Sequence, residues 1–120
     1  MKSNVAVTEY VWAPDSEDIT TLDFAVFKKG FFGSIKKDRS FEGWCLCFKH
    51  KDDKTVDIDS ISMQNGNFHT QPLNLELAYA VLLAGSNTLK NAGEDNKAKL
   101  LNQAAISLFK QKILKPKSGQ

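Results

Sequence analysis

The sequence predicts a two-layer α+β domain, with an antiparallel meander of four to five strands over about residues 4–71 covered by two C-terminal helices over about 75–91 and 94–114. Three observations predict it. Apolar and polar residues alternate with a period of two through much of the first half. Turn-forming clusters such as Pro14-Asp15-Ser16, Lys28-Lys29-Gly30 and Asn65-Gly66 punctuate that half. From Pro72 onward the vocabulary changes to Leu, Ala, Lys, Asn and Gln, and the apolar spacing becomes helical.

Val5 to Trp12 alternates Val5, Val7 and Val11 with Ala6, Thr8, Tyr10 and Trp12, the pattern of a half-buried strand. Leu22, Phe24 and Val26 against Asp23, Ala25 and Phe27 make a second strand, Lys28-Lys29-Gly30 a turn, and Phe31 to Ile35 a short return. Trp44, Leu46 and Phe48 share one face of the next strand, with Cys45, Cys47 and Lys49 on the other. A polar hairpin connection, Lys51-Asp52-Asp53-Lys54, leads into Thr55 to Met63. In that last strand the parity of the apolar positions flips near Asp59 and Ser60, which a β-bulge would produce. Phe68 to Gln71 reads as a brief edge strand.

Asn74 is a credible N-cap, with Glu76 in the first turn where a negative charge suits the helix dipole. The first helix reaches at least Ala84, and the sequence leaves open whether Gly85-Ser86-Asn87 ends it or Asn91 does. Asn91-Ala92-Gly93 is a clearer stop. The second helix clusters Ala98, Leu101, Ala104, Ala105 and Leu108 on one side, with Lys99, Gln103 and Lys110 opposite, and runs to Leu114.

At 120 residues with 42% hydrophobic and 25% charged content, the composition supports a single domain over 1–120 with a basic, flexible 115–120 tail. The segment Met1 to Trp12 lacks the apolar stretch of a signal peptide, and Leu77 to Ala84, the longest apolar run, is far short of the roughly 20 residues of a membrane span. A cytoplasmic protein without membrane contact is expected. Cys45 and Cys47 point the same way along one strand, so they read as reduced, inert thiols.

Charge is uneven: residues 1–89 carry 9 basic and 12 acidic side chains, residues 90–120 carry 7 and 2, for a net +2. Fifteen of the 16 cations are Lys, and Arg39 alone has the planar fork suited to base readout, so sequence-specific nucleic-acid recognition is disfavoured. Between Phe27 and Arg39, however, rings interleave with cations: Lys28, Lys29, Phe31, Phe32, Lys36, Lys37 and Arg39. That is the composition of a single-strand surface, where rings stack bases and lysines neutralise phosphates. The bland reading puts those phenylalanines in the core and the lysines on a solvated turn. Lys110, Lys112 and Lys115 either extend a phosphate-binding patch or simply complement the negative end of the last helix.

Catalytic and metal signatures are missing. Asp57 and Asp59 lie two apart with no third acid and Lys at nuclease spacing, His50 and His69 with Cys45 and Cys47 match no zinc spacing, and Cys47 and His50 have opposite strand parity. No cofactor, metal or small-molecule substrate is expected. The stretch Leu77 to Ala84 is apolar nearly all round, so either the last helix covers its second side or a partner or second copy does. Two functions compete on these grounds. The leading expectation is a non-enzymatic protein-interaction module, an adaptor, inhibitor or assembly subunit, using Leu77, Val81 and Leu82 and a sheet edge. The alternative is a single-stranded nucleic-acid-binding module using 27–39 and the basic C-terminus.

Overall fold

A computed structural model describes residues 4–15, 17–51, 54–65 and 73–114. In chain order the elements are β1 (Val5–Val11), β2 (Thr20–Lys29), β3 (Ile35–Lys37), β4 (Trp44–Phe48), β5 (His50–Lys51), β6 (Thr55–Val56) and β7 (Ser62–Asn65), then α1 (Leu75–Asn91) and α2 (Asp95–Leu108). The main sheet is antiparallel, in the order β1-β2-β4-β7, and β3 pairs with β2 to make five strands. The expected α+β fold of a meander followed by two helices is therefore present.

The period-two pattern decides which face meets the helices. Val7, Leu22, Phe24, Leu46, Phe48 and Met63 point inward and are buried with Val81, Leu82, Leu89, Leu101 and Leu108 of the helices. Asn74 caps α1 as its sequence suggests, its side-chain oxygen accepting from the Leu77 N–H at 3.1 Å. α1 then runs unbroken through Gly85. A methyl group at that glycine would stand 3.0 Å from Leu101 Cδ1 and 3.1 Å from Leu22 Cδ1, so Gly85 lets helix, sheet and second helix approach closely. Ser86 Oγ, donating to the Ala98 carbonyl at 2.7 Å, ties the two helices together.

Four local expectations are corrected. β2 continues through Lys28 and Lys29 to its end, and the chain reverses at a 3-10 turn over Phe31–Gly33; the return strand expected over Phe31 to Ile35 therefore runs over Ile35–Lys37 instead. The parity change near Asp59 comes from another such turn, Ile58–Ser60, not from a bulge. Asp57 Oδ1 accepts from the Asp59 N–H there, and the Ser60 hydroxyl donates to the Asp57 carbonyl, so local side-chain bonds replace the ladder. The ladder irregularity lies instead in β1, between Val7 and Glu9. The second helix is α-helical only to Leu108 and closes with a wide π-type turn over Phe109–Ile113.

The Gly66 half of the expected turn, the Phe68 to Gln71 strand, and Lys115 with the rest of the 115–120 tail lie outside the described residues. Among the described residues, no helix is long and apolar enough to cross a membrane.

Candidate functional site

The two regions singled out in the sequence exchange roles. Val81 and Leu82 are 0% exposed, enclosed between the sheet and α2, and Leu77 is half-buried. The expectation that Leu77, Val81 and Leu82 present an apolar partner surface is therefore corrected: α2 covers the second side of α1, and the Tyr79 ring meets Phe109 of the π turn at 5.5 Å.

The core reading of Phe31 and Phe32 fails in the opposite direction. Phe31 is 89% exposed, Phe32 is fully exposed, and Ile35 is 66% exposed. The cause is strand length. β4 pairs with β2 only as far as Asp23, and β1 only as far as Val26, whereas β2 runs on to Lys29. Six residues beyond Asp23, at roughly 3.3 Å each, carry the tip about 20 Å past the last β4 partner. Among the described residues only β3 accompanies it to its end, and the two rings have no core to enter.

Within this hairpin the register sorts the side chains. Lys28 faces Lys36 directly across the ladder, while Phe27 faces Lys37 and Lys29 faces Ile35. Like charges placed opposite each other oppose pairing, so the Lys28–Lys36 pair is poorly explained by folding and well suited to an anion. A groove of about 440 Å³, lined by Asn4, Phe27, Lys28, Lys29 and Ile35, runs beside it. At the tip the Phe31 and Phe32 ring centroids are 6.4 Å apart with the planes tilted by 51°.

Phe32 has φ 63° and ψ 21°, and Gly33 follows at φ 78°. The left-handed region at two successive turn residues normally selects Asn-Gly, because a β-carbon there crowds the next carbonyl at a cost of about 1–2 kcal/mol. A phenylalanine at this position holds its ring in water against that preference.

The other cations are dispersed. Arg39 is exposed in the short turn Arg39–Phe41 that follows β3. Asp38 stands beside it and stays ionised: the Ser40 hydroxyl and N–H hold its carboxyl below the usual range, and Lys28 adds to the effect. Lys110 and Lys112 lie on the π turn, and Lys112 Nζ sits 3.2 Å from Asp59 Oδ1, so part of its charge is locally answered.

Sequence reading missed a second cation-and-ring groove. It has a volume of about 680 Å³ and is lined by Trp12, Ala13, Pro14, Lys54, Asn96, Lys97, Lys99, Leu100 and Gln103, at the other end of β2 from the hairpin tip. Lys97 Nζ lies 5.4 Å from the Trp12 ring centre and 3.0 Å from Glu94 Oε2, and Trp12 stacks on buried His50 at 4.8 Å. His50 Nε2 in turn is 2.8 Å from the Thr20 hydroxyl, which accepts from the Ala13 N–H at 2.9 Å. These residues are scattered through the chain, and no local motif joins them.

Cys47 and His50 do not form a catalytic pair, since His50 is enclosed beside Thr20 while Cys47 lies on the outer sheet face. Among the described residues, no three His, Cys, Asp or Glu side chains converge as a metal site. No known protein family, curated protein or solved structure matches this chain. Function is therefore argued from the surface itself.

Proposed function

We propose that the chain is a non-enzymatic, cytoplasmic binding protein that takes single-stranded nucleic acid on its β2–β3 hairpin. The observation that carries this reading is the exposed Phe31–Phe32 pair, held at the end of two strands that bear Lys28, Lys29, Lys36 and Lys37. Unstacked bases offer flat faces for the two rings, at about 1–3 kcal/mol per stacked base, and the phosphates between them meet the lysines. A duplex hides its base faces, so it gains only the charge term. With Lys in nearly every cationic position, binding follows the backbone and the stack rather than the base sequence.

Titration of a labelled single-stranded oligonucleotide, followed by fluorescence anisotropy, tests this directly. Four neutralised phosphates give a slope of about −3 in log affinity against log salt. Failure to bind at low ionic strength removes the reading.

A protein partner is the second reading, and a separate observation favours it. Among the described residues β1 is an outer strand of the main sheet, and its Val11 is exposed. An open edge accepts an added strand through main-chain hydrogen bonds. In that case oligonucleotide binding is absent and a protein survives nuclease treatment during pull-down.

A further inference from the structure

The sheet face turned away from the helices carries two thiols in register with polar neighbours. Across it, Glu9, Asp23, Cys45 and Gln64 form one row, and Val11, Thr21, Cys47 and Ser62 the next. Cys45 Sγ and Cys47 Sγ are 3.7 Å apart. Their α-carbons are separated by two strand residues, about 6.6 Å, at the far limit of what a disulfide spans. The sulfur spacing fits a different bond. Two thiolates bound to one tetrahedral ion at about 2.3 Å each stand about 3.8 Å apart.

We propose that Cys45 and Cys47 form a two-thiolate site for a soft divalent metal ion of the zinc and cadmium class, with Asp23 beside it as a charge partner. Soft sulfur donors select such ions over magnesium or calcium. Among the described residues no group of three His, Cys, Asp or Glu side chains converges, so these residues supply two ligands, half-buried Cys45 and buried Cys47, and the other positions are left to a small donor molecule. Asp23 lies directly across the ladder from Cys45, and its carboxylate opposes ionisation of both thiols in the free protein. With a cation present the same negative charge becomes favourable.

The protons balance as follows: each thiol gives its proton to solvent as a metal–sulfur bond forms, so a divalent ion displaces up to two. The two thiols differ in readiness. Cys47 is lowered to about 7, first by the hydrogen bond from Cys45 and then by that from Thr21, against the opposing effects of burial and Asp23. Cys45 is pushed well above the ordinary thiol range, first by its bond to Cys47 and then by burial, by the charge of Cys47 and by Asp23.

Reduced full-length protein titrated with Cd²⁺, and separately with Zn²⁺, tests the site. The expected result is one ion per chain, an ultraviolet thiolate-to-cadmium band and proton release as the ion binds. Cys45→Ser/Cys47→Ser abolishes the band, and Asp23→Asn weakens binding by about tenfold. On the wild-type chain, bound Cd²⁺ protects half-buried Cys45 from iodoacetamide, a readout that does not require the double variant to fold. No stoichiometric binding, an unprotected Cys45, binding that survives the double substitution, or one ion per two chains overturns the proposal.

Discussion

Two apolar stretches of this protein meet opposite fates. Leu77 to Ala84 is the longest apolar run in the chain, and its Val81 and Leu82 are wholly enclosed. Phe31 and Phe32 are short, charged-flanked and next to two glycines, and they stand in water. Local hydrophobicity does not separate them, since a Phe ring is as apolar as a Leu side chain. Position relative to the other layers does. α1 lies over β1 and β2 with α2 packed against it, whereas the hairpin outruns every other described strand except its own return. Apolar surplus is thus absorbed where the sheet and both helices converge, and it remains available where, among the described residues, only two strands continue.

The largest expected effect breaks the enclosed side of this comparison. Leu82→Asp buries an unpaired carboxylate between sheet and helix and lowers stability by several kcal/mol, so a denaturant melt shows little or no native baseline. A variant that melts like the wild type would mean that the inner face of α1 is wet.

Next comes the close approach at Gly85. Replacement by Val drives two methyl groups toward Leu101 and Leu22, which already lie at the limit for a single β-carbon. The expected loss is roughly 1–3 kcal/mol by thermal or denaturant unfolding, even though valine favours a helix slightly more than glycine does.

The exposed side is broken by Phe32→Ala. It should weaken oligonucleotide binding by about 1–3 kcal/mol while shifting stability by no more than about 0.5 kcal/mol. A loss of about 3–5 kcal/mol in the melt, with binding unchanged, would return the ring to a packed environment.

The smallest effect sharpens the comparison. Phe32→Asn installs the residue that a left-handed turn position prefers, so stability rises by about 0.5–1 kcal/mol while ring-dependent binding falls as it does in the alanine variant. A gain in stability combined with a loss of binding separates the demands of folding from those of the surface. Equal stability and equal binding would show that the ring contributes to neither.

What the sequence determined by itself is what short-range chemistry controls. Period-two alternation located β1, β2 and β4 and the inward set Leu22, Phe24, Leu46 and Phe48. Asn74 marked the start of α1 because its side chain bonds an N–H only three residues away. The shared face of Cys45 and Cys47 follows from strand geometry alone, and their sulfurs do meet there.

What only the tertiary structure decided depends on elements far apart in the chain. The stop at Ile58–Ser60 mimics a bulge, since both reverse the parity of the apolar positions, and the turn is distinguished by its own bonds to the Asp57 carbonyl together with the long-range bond from the Lys49 N–H to the Ser60 hydroxyl. Gly85 does not end α1, and the space that a side chain there would fill is taken by Leu22 and Leu101. The exposure of Phe31 and Phe32 rests on where β1 and β4 cease to pair with β2, a difference in strand lengths that no residue of the hairpin itself encodes. Trp12, Lys54 and Lys97 share a groove only because α2 packs beside the end of β1, and burial and long-range contact of this kind leave no periodic trace in the sequence.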